Sequence, residues 1–144
     1  MLIETKFFGE IEISDKDIIF FEEGIPGFTD MHRFAVINDS TNIAISYMQS
    51  LDDKNVCFIL IPPIFVDNDY DIEISKGTVE KLEIQAPEDV KLYAIMTLHD
   101  NFKDATANLK APLVINIKNN KGIQEILDDE RYSIRHRIVK ESDV

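Results

Sequence analysis

The chain has little that would tie it to a nucleic acid, a membrane or an oxidising compartment. Its 15 Lys+Arg are outnumbered by 27 Asp+Glu, for a net charge of −12 and a pI near 4.5. Nucleic-acid binders draw much of their affinity from cations that neutralise phosphates, so the deficit excludes nucleic acid as a direct partner. It equally disfavours a role on an anionic membrane surface. One cysteine, Cys57, rules out an intramolecular disulfide framework and fits a reducing cytosol. The longest apolar run, Val56 to Ile61, falls far short of the ~20 residues that span a bilayer. Charges interrupt the apolar residues from Met1 to Glu12, so no signal-peptide core is present. A soluble cytoplasmic protein is expected. Five glycines and five prolines are too few for a low-complexity or disordered chain.

What remains is the composition of a folded domain: 144 residues, 44% hydrophobic and 29% charged. That length suits one domain over residues 1–144, able to bury about two-thirds of its unfolded surface. An acidic protein with a specific partner meets a basic one, because complementary fields steer encounter.

The dominant period is two. Over Val90–Leu98 one parity reads Val90, Leu92, Ala94, Met96 and Leu98, which predicts a strand with that face buried. Ile43, Ile45 and Tyr47 alternate with Ala44, Ser46 and Met48 in the same way. Residues 56–61 and 113–117 are nearly continuous apolar runs rich in β-branched residues, as in central strands. Further strands are expected at 2–8, 10–13, 17–21, 34–38 and 70–74. Asn119–Gly122 reads as a hairpin turn leading back through Ile123–Leu127, although those apolar spacings also suit a helical turn. Val79 and Leu82, between Gly77 and Pro87, support about two helical turns. Many short strands at roughly ten-residue spacing indicate a mainly β, single-domain, antiparallel β-barrel-like fold with one or two short helices. Closure would hide strand edges that otherwise invite aggregation.

Chemical machinery is not visible. His32, His99 and His136 are dispersed, with no zinc-ligand spacing. No nucleophile elbow is present, and Cys57 lies in an apolar run where a thiol is inert. Gly24-Ile-Pro-Gly-Phe28 lacks the Lys-Ser/Thr of a phosphate loop. It predicts a type II turn with Pro26 second and Gly27 third, closed over by Phe28 and Phe34. The run Asp67-Asn-Asp69-Tyr-Asp71-Ile-Glu73 begins like a calcium loop. However, Ile72 stands where glycine is required and Thr78 where a bidentate Glu is required. Two readings remain for it: an exposed strand edge whose like charges deter pairing, or an acidic patch for a basic partner. No catalytic, cofactor or metal site is expected. A small-molecule enzyme or sensor would need a pocket of convergent polar groups.

Two more features invite a partner. Ile61-Pro-Pro-Ile-Phe-Val66 stops a strand at two prolines, leaving Phe65 either to cap a barrel or to anchor a partner. Arg131, Arg135, Arg137 and Lys140, with His136, form a basic end that is either a solvated or fraying terminus or a contact surface. Residues 131–144 hold four Lys+Arg against two Asp+Glu, leaving −14 on residues 1–130.

In order along the chain, several segments resemble the FliW family of flagellar assembly factors. They are Thr5-Lys-Phe-Phe-Gly9, Phe21-Glu-Glu-Gly-Ile-Pro-Gly-Phe28 and Met48-Gln-Ser-Leu-Asp-Asp53, then Phe58, Pro62 and Thr106-Ala-Asn-Leu-Lys-Ala-Pro112 running into Ile115-Asn116. Gln124 and Tyr132-Ser-Ile-Arg135 complete the set, and residues 64–88 match least. The resemblance implies a non-enzymatic cytoplasmic regulator with a β-barrel-like fold. Such proteins bind CsrA, a small dimeric RNA-binding translational repressor, and free flagellin messages from repression. They also bind flagellin, in a mutually exclusive complex. The alternative is a dedicated flagellin chaperone without a translational role. Charge and exposure nominate Phe65, Asp67, Asp69, Asp71, Glu73, Arg131, Arg135 and Arg137 as partner contacts.

Overall fold

A computed structural model of the chain describes residues 1–42 and 44–138; Ile43 and Lys140, assigned above to a strand and to the basic end, lie outside them. The described strands are β1 (Leu2–Glu4), β2 (Glu10–Glu12), β3 (Ile18–Phe20), β4 (Arg33–Asn38), β5 (Ser46–Ser50) and β6 (Cys57–Ile61). The helix α1 (Lys76–Leu82) follows, then β7 (Val90–Thr97), β8 (Thr106–Ala107), β9 (Leu113–Asn116), β10 (Lys121–Gln124) and β11 (His136–Arg137). β1 and β2 form a separate antiparallel hairpin. Seven strands close a barrel in the order β3-β4-β5-β6-β7-β9-β10 and back to β3. β8 and β11 extend the sheet from β7 as a flange outside the ring.

The expected mainly β barrel is present, with one departure from full antiparallel pairing. β10 meets β3 in parallel, Lys121 opposite Phe20. An odd number of strands cannot alternate direction around a closed ring, so one junction must be parallel. The other six are antiparallel.

Inside the ring, Ile19, Phe21, Phe34, Met48, Leu60, Tyr93, Leu113 and Ile115 form the main core. Phe21 and Phe34 meet edge to face at 5.5 Å, a favoured aromatic geometry. A second core, including Ile61, Ala94, Met96, Leu109, Leu127 and Tyr132, packs on the outer face of β6 and β7. β7 is therefore covered on both faces. Tyr93, on the parity expected to face out, enters the barrel, while Ala94 and Met96 lie under the outer layer. Leu98, expected inside, is 49% exposed.

Local signals account for most boundaries. Phe28 N–H donates to Ile25 C=O at 2.6 Å, and Gly27 has φ +88°, the left-handed value that a type II turn requires at its third position. Of the two rings expected over this turn, Phe34 is fully buried, and Phe28 rests edge-on against Phe58. Ser75 caps α1, its Oγ accepting from Thr78 N–H. Expected strand 2–8 stops at Glu4, because the Thr5 hydroxyl donates to Gly9 C=O at 2.7 Å and accepts from Phe8 N–H, folding Thr5–Gly9 into the hairpin loop. Gly122, expected in a turn, lies within β10, while the left-handed turn residue is Asn120 (φ +57°). A Cβ on Gly122 would stand 2.7 Å from Phe21 Cζ, so close packing, not turn geometry, calls for glycine there.

Candidate functional site

The segments after β6 and after β10 cross the outer face of the barrel and build the candidate site between them. At Pro62-Pro63 the β6 ladder ends, since proline has no N–H to donate. A 3-10 turn over Pro63–Phe65 then buries Pro63 and Val66 but leaves Phe65 63% exposed, so Phe65 does not cap the barrel. Residues 70–74 alternate as the sequence suggests: Tyr70 and Ile72 pack on the second core, Asp71 and Glu73 face solvent. They are not a strand, and so not a strand edge. Their backbone is held instead by side chains from the other segment. The Tyr132 hydroxyl accepts from Asp71 N–H at 2.9 Å and donates to Asp71 C=O at 3.0 Å, and Tyr70 donates to Leu109 C=O at 2.8 Å.

A groove of about 490 Å³ lies between residues 71–75 and 125–131. Five carboxylates line it, those of Asp71, Glu73, Glu125, Asp128 and Asp129, against one cation, Arg131. That guanidinium is already engaged, with Nη2 and Nε 2.7 and 3.0 Å from Asp129 Oδ2 and Nη2 also donating to Asp71 C=O. The hydrogen bond from Arg131 is the main reason Asp129 is held below the usual carboxylate range, and Asp129 in turn raises Arg131. Glu125 forms part of the floor. Its Oε1 accepts from Ser75 N–H at 2.9 Å and from the Thr78 hydroxyl at 3.2 Å, tying the end of β10 to the start of α1.

A second groove, about 450 Å³, gathers Phe65, Asp67 and Asp69 with His136 and Ile138. The acidic run is thus divided: Asp67 and Asp69 face one groove, Asp71 and Glu73 the other. The expected basic end is divided as well. Arg131 joins the acidic groove, Arg135 is exposed, and Arg137 donates to Lys103 C=O at 3.1 Å beside Asp104. Nor does residue 131 begin a fraying end. Tyr132 is buried, Leu109 N–H donates to Ser133 C=O, and β11 pairs with β8. Glu125, Asp128 and Asp129 were not among the residues nominated from sequence. The run Asp128-Asp-Glu130 was a legible signal. The inward turn of Glu125 was not, since it depends on contact with α1, about fifty residues earlier in the chain.

Two further displaced acidities belong to groups that line neither groove. Burial pushes the half-buried Cys57 thiol up to about 11, which leaves it un-ionised and inert at neutral pH, and burial also raises Tyr70. Among the described residues, no group of three or more His, Cys, Asp or Glu is placed to hold a metal ion, and no helix is long and apolar enough to cross a membrane.

The family motifs prove to be fold devices. Fully buried Gln49 accepts from Lys6 N–H at 2.9 Å and donates to the carbonyls of Ser50, Lys54 and Val56. Ser50 Oγ accepts from the N–H groups of Asp52 and Asp53, shaping the β5–β6 turn. Asn108 accepts from Lys110 and Ala111, and Asn116 donates to Leu82 C=O at the end of α1.

These features define a class: a small closed barrel whose outer layer carries an acidic groove and an exposed aromatic residue. The family model described as FliW protein matches residues 2–138, and the chain belongs to the FliW family. It is 44% identical to the flagellar assembly factor FliW of Alkaliphilus metalliredigens, covering 98% of this chain and 88% of that protein. With the flagellar assembly factor FliW of Thermoanaerobacter pseudethanolicus it shares 42% identity, over 98% of this chain and 95% of the other. A crystal structure of the flagellar assembly factor FliW superimposes with a TM-score of 0.92 at 40% identity, covering 98% of this chain and 99% of that one.

Proposed function

We propose that this protein is a cytoplasmic, non-enzymatic flagellar assembly factor, a single domain over residues 1–144. It binds the translational repressor CsrA, relieving repression of flagellin mRNA, and binds flagellin in a mutually exclusive complex. Free-partner concentrations then set which complex forms, and unsecreted flagellin restores repression by withdrawing the antagonist. The observation that carries the mechanism is charge: residues 1–130 bear −14. A repressor that grips RNA presents basic surface, and an acidic protein docked beside it repels RNA phosphates without touching RNA. Two unit charges ~10 Å apart at an effective dielectric of ~40 interact by roughly 0.8 kcal/mol, so several carboxylates suffice to cost RNA binding a few kcal/mol. In this reading Asp67, Asp69, Asp71 and Glu73 face the repressor, while Phe65, Arg131, Arg135 and Arg137 serve flagellin.

An electrophoretic shift assay tests it. The protein is expected to lower the repressor's affinity for flagellin leader RNA, less so in added salt, and flagellin is expected to reverse the effect. Unchanged RNA binding at saturating protein rejects the antagonist role. A second reading, a flagellin chaperone alone, is favoured by the 63% exposure of Phe65. It is supported if flagellin binds while the repressor does not.

A further inference from the structure

One mouth of the barrel is open, and its charge is opposite to that of the protein as a whole. Residues at the start of β3, the end of β4, the start of β7 and the end of β9 surround a cavity of about 200 Å³ there. Ile19 and Ile115 from the barrel core, with half-buried Val36, give it an apolar floor. Tyr93 lines the same cavity and is only 4% exposed. Its hydroxyl has no hydrogen-bond partner among the described residues, yet it is not sealed in, since Glu125 Oε2 is the one enclosed side-chain polar atom among them without a partner. A nearly buried donor is thus left open to the mouth, where a buried polar group ordinarily finds an acceptor.

Two cations stand at the rim. Lys91 lies two residues before Tyr93 on the same face of β7, its ammonium 5.1 Å from the centre of the Tyr93 ring. Lys16 precedes β3, and its carbonyl is held by the Asn120 amide at 3.0 Å. Among the described residues neither ammonium is paired with a carboxylate, whereas cations lining other cavities are: Lys81 with Glu23, Arg33 with Asp52. Asp17 is the one carboxylate of the mouth, and it already accepts from Ser14 N–H at 2.9 Å. Two lysines against one aspartate give the lining +1, in a chain of net charge −12.

We infer that this mouth binds a small carboxylic acid with a compact apolar body, its carboxylate taken by Lys16, Lys91 and the Tyr93 hydroxyl. Barrel mouths with an apolar floor and a few polar groups are recurrent small-molecule sites, and a volume below the usual ~300–1,000 Å³ calls for a small guest. Both ammoniums and the hydroxyl can donate, so the guest supplies the acceptors. A lining of +1 matches a monoanion and leaves a phosphate dianion under-neutralised. The floor of Ile19, Val36 and Ile115 gains from an apolar body that an inorganic ion does not have. No protein partner enters this inference, which therefore goes beyond the proposed function.

Benzoate is the probe, titrated into the ¹⁵N-labelled protein and read at the amides of Lys91 and Ile117. A saturable shift at both is expected, with Kd on the order of 1 mM. Benzamide, of the same shape but uncharged, is expected to bind ~10-fold more weakly. The double variant Lys16→Gln/Lys91→Gln changes two exposed side chains, leaves the core intact and is expected to bind benzoate no better than benzamide. Tyr93→Phe removes the hydroxyl alone and is expected to weaken benzoate binding several-fold. Should that core variant fail to fold, the lysine variant decides. No saturable shift at ~10 mM benzoate overturns the inference. So does equal binding of benzamide, or undiminished benzoate binding by either folded variant. Equal shifts from inorganic phosphate also overturn it, since they would show attraction of any anion without use of the apolar floor.

Discussion

Tyr132 satisfies both backbone groups of Asp71 with one hydroxyl, accepting from its N–H at 2.9 Å and donating to its C=O at 3.0 Å. A neighbouring strand would normally supply that pair of bonds. Here a buried side chain supplies them, so residues 70–74 keep the in-and-out alternation of a strand without joining a sheet. The wall of the acidic groove is thus set by a ring from the far end of the chain, itself packed 4.6 Å from Tyr70.

Tyr132→Phe keeps the packing and removes both bonds. A loss of about 1–2 kcal/mol is expected in urea denaturation, with faster amide exchange at Asp71. Unchanged exchange there would show that the segment is held by packing alone.

Gln49→Ala should cost more, about 2–3 kcal/mol, because it strands Lys6 N–H and takes a donor from the carbonyls of Ser50, Lys54 and Val56, of which Val56 keeps the bond from Ser50 N–H. Thermal unfolding reads the loss. A change confined to the Thr5–Gly9 loop, with an unaltered Tm, would contradict the role given to Gln49.

At Gly122 the test is steric. An alanine Cβ would meet the fully buried Phe21 ring at 2.7 Å, so the ring would have to shift within the barrel core. Overpacking of this kind is expected to destabilise by about 1–3 kcal/mol.

Asp52 ties stability to pH. Partial desolvation works against its ionisation, but the N–H groups of His32 and Arg33 and the Arg33 guanidinium outweigh it and hold the carboxyl below its usual range. Between the folded and unfolded pKa values the unfolded chain binds more protons. The contribution is therefore complete above the unfolded value of about 3.9 and is lost as pH falls through the depressed folded one. Asp52→Asn is expected to be less stable than the parent at pH 7, and the two are expected to converge toward pH 2, as urea midpoints across that range would show.

Phe65→Ala should leave stability within about 0.5 kcal/mol, since the ring is mostly exposed. If Phe65 anchors flagellin as proposed, the same change is expected to weaken that complex by more than about 1 kcal/mol in calorimetry.

Most of the barrel could be read from the chain because its signals are local. Two-residue alternation marks a strand, β-branched runs mark strands covered on both sides, and Ile25-Pro-Gly-Phe28 favours the type II turn observed. Where the signal depends on distant neighbours, sequence reading went astray. Gly122 looks like a turn residue until Phe21 is placed against it, and the parity of β7 is ambiguous once both faces are buried. The acidic run was legible as charge, yet its division between two grooves follows from Tyr70 and Ile72 packing inward.

By itself, then, the sequence determined a β-rich acidic domain, its motifs and its family likeness, because composition, period and turn chemistry act over a few residues. Only the tertiary structure decided that seven strands close, which forces one parallel junction between β3 and β10. Tertiary contact also buried Glu125 beside α1 with one oxygen unpaired, because the burial of a charge depends on what the rest of the chain folds over it.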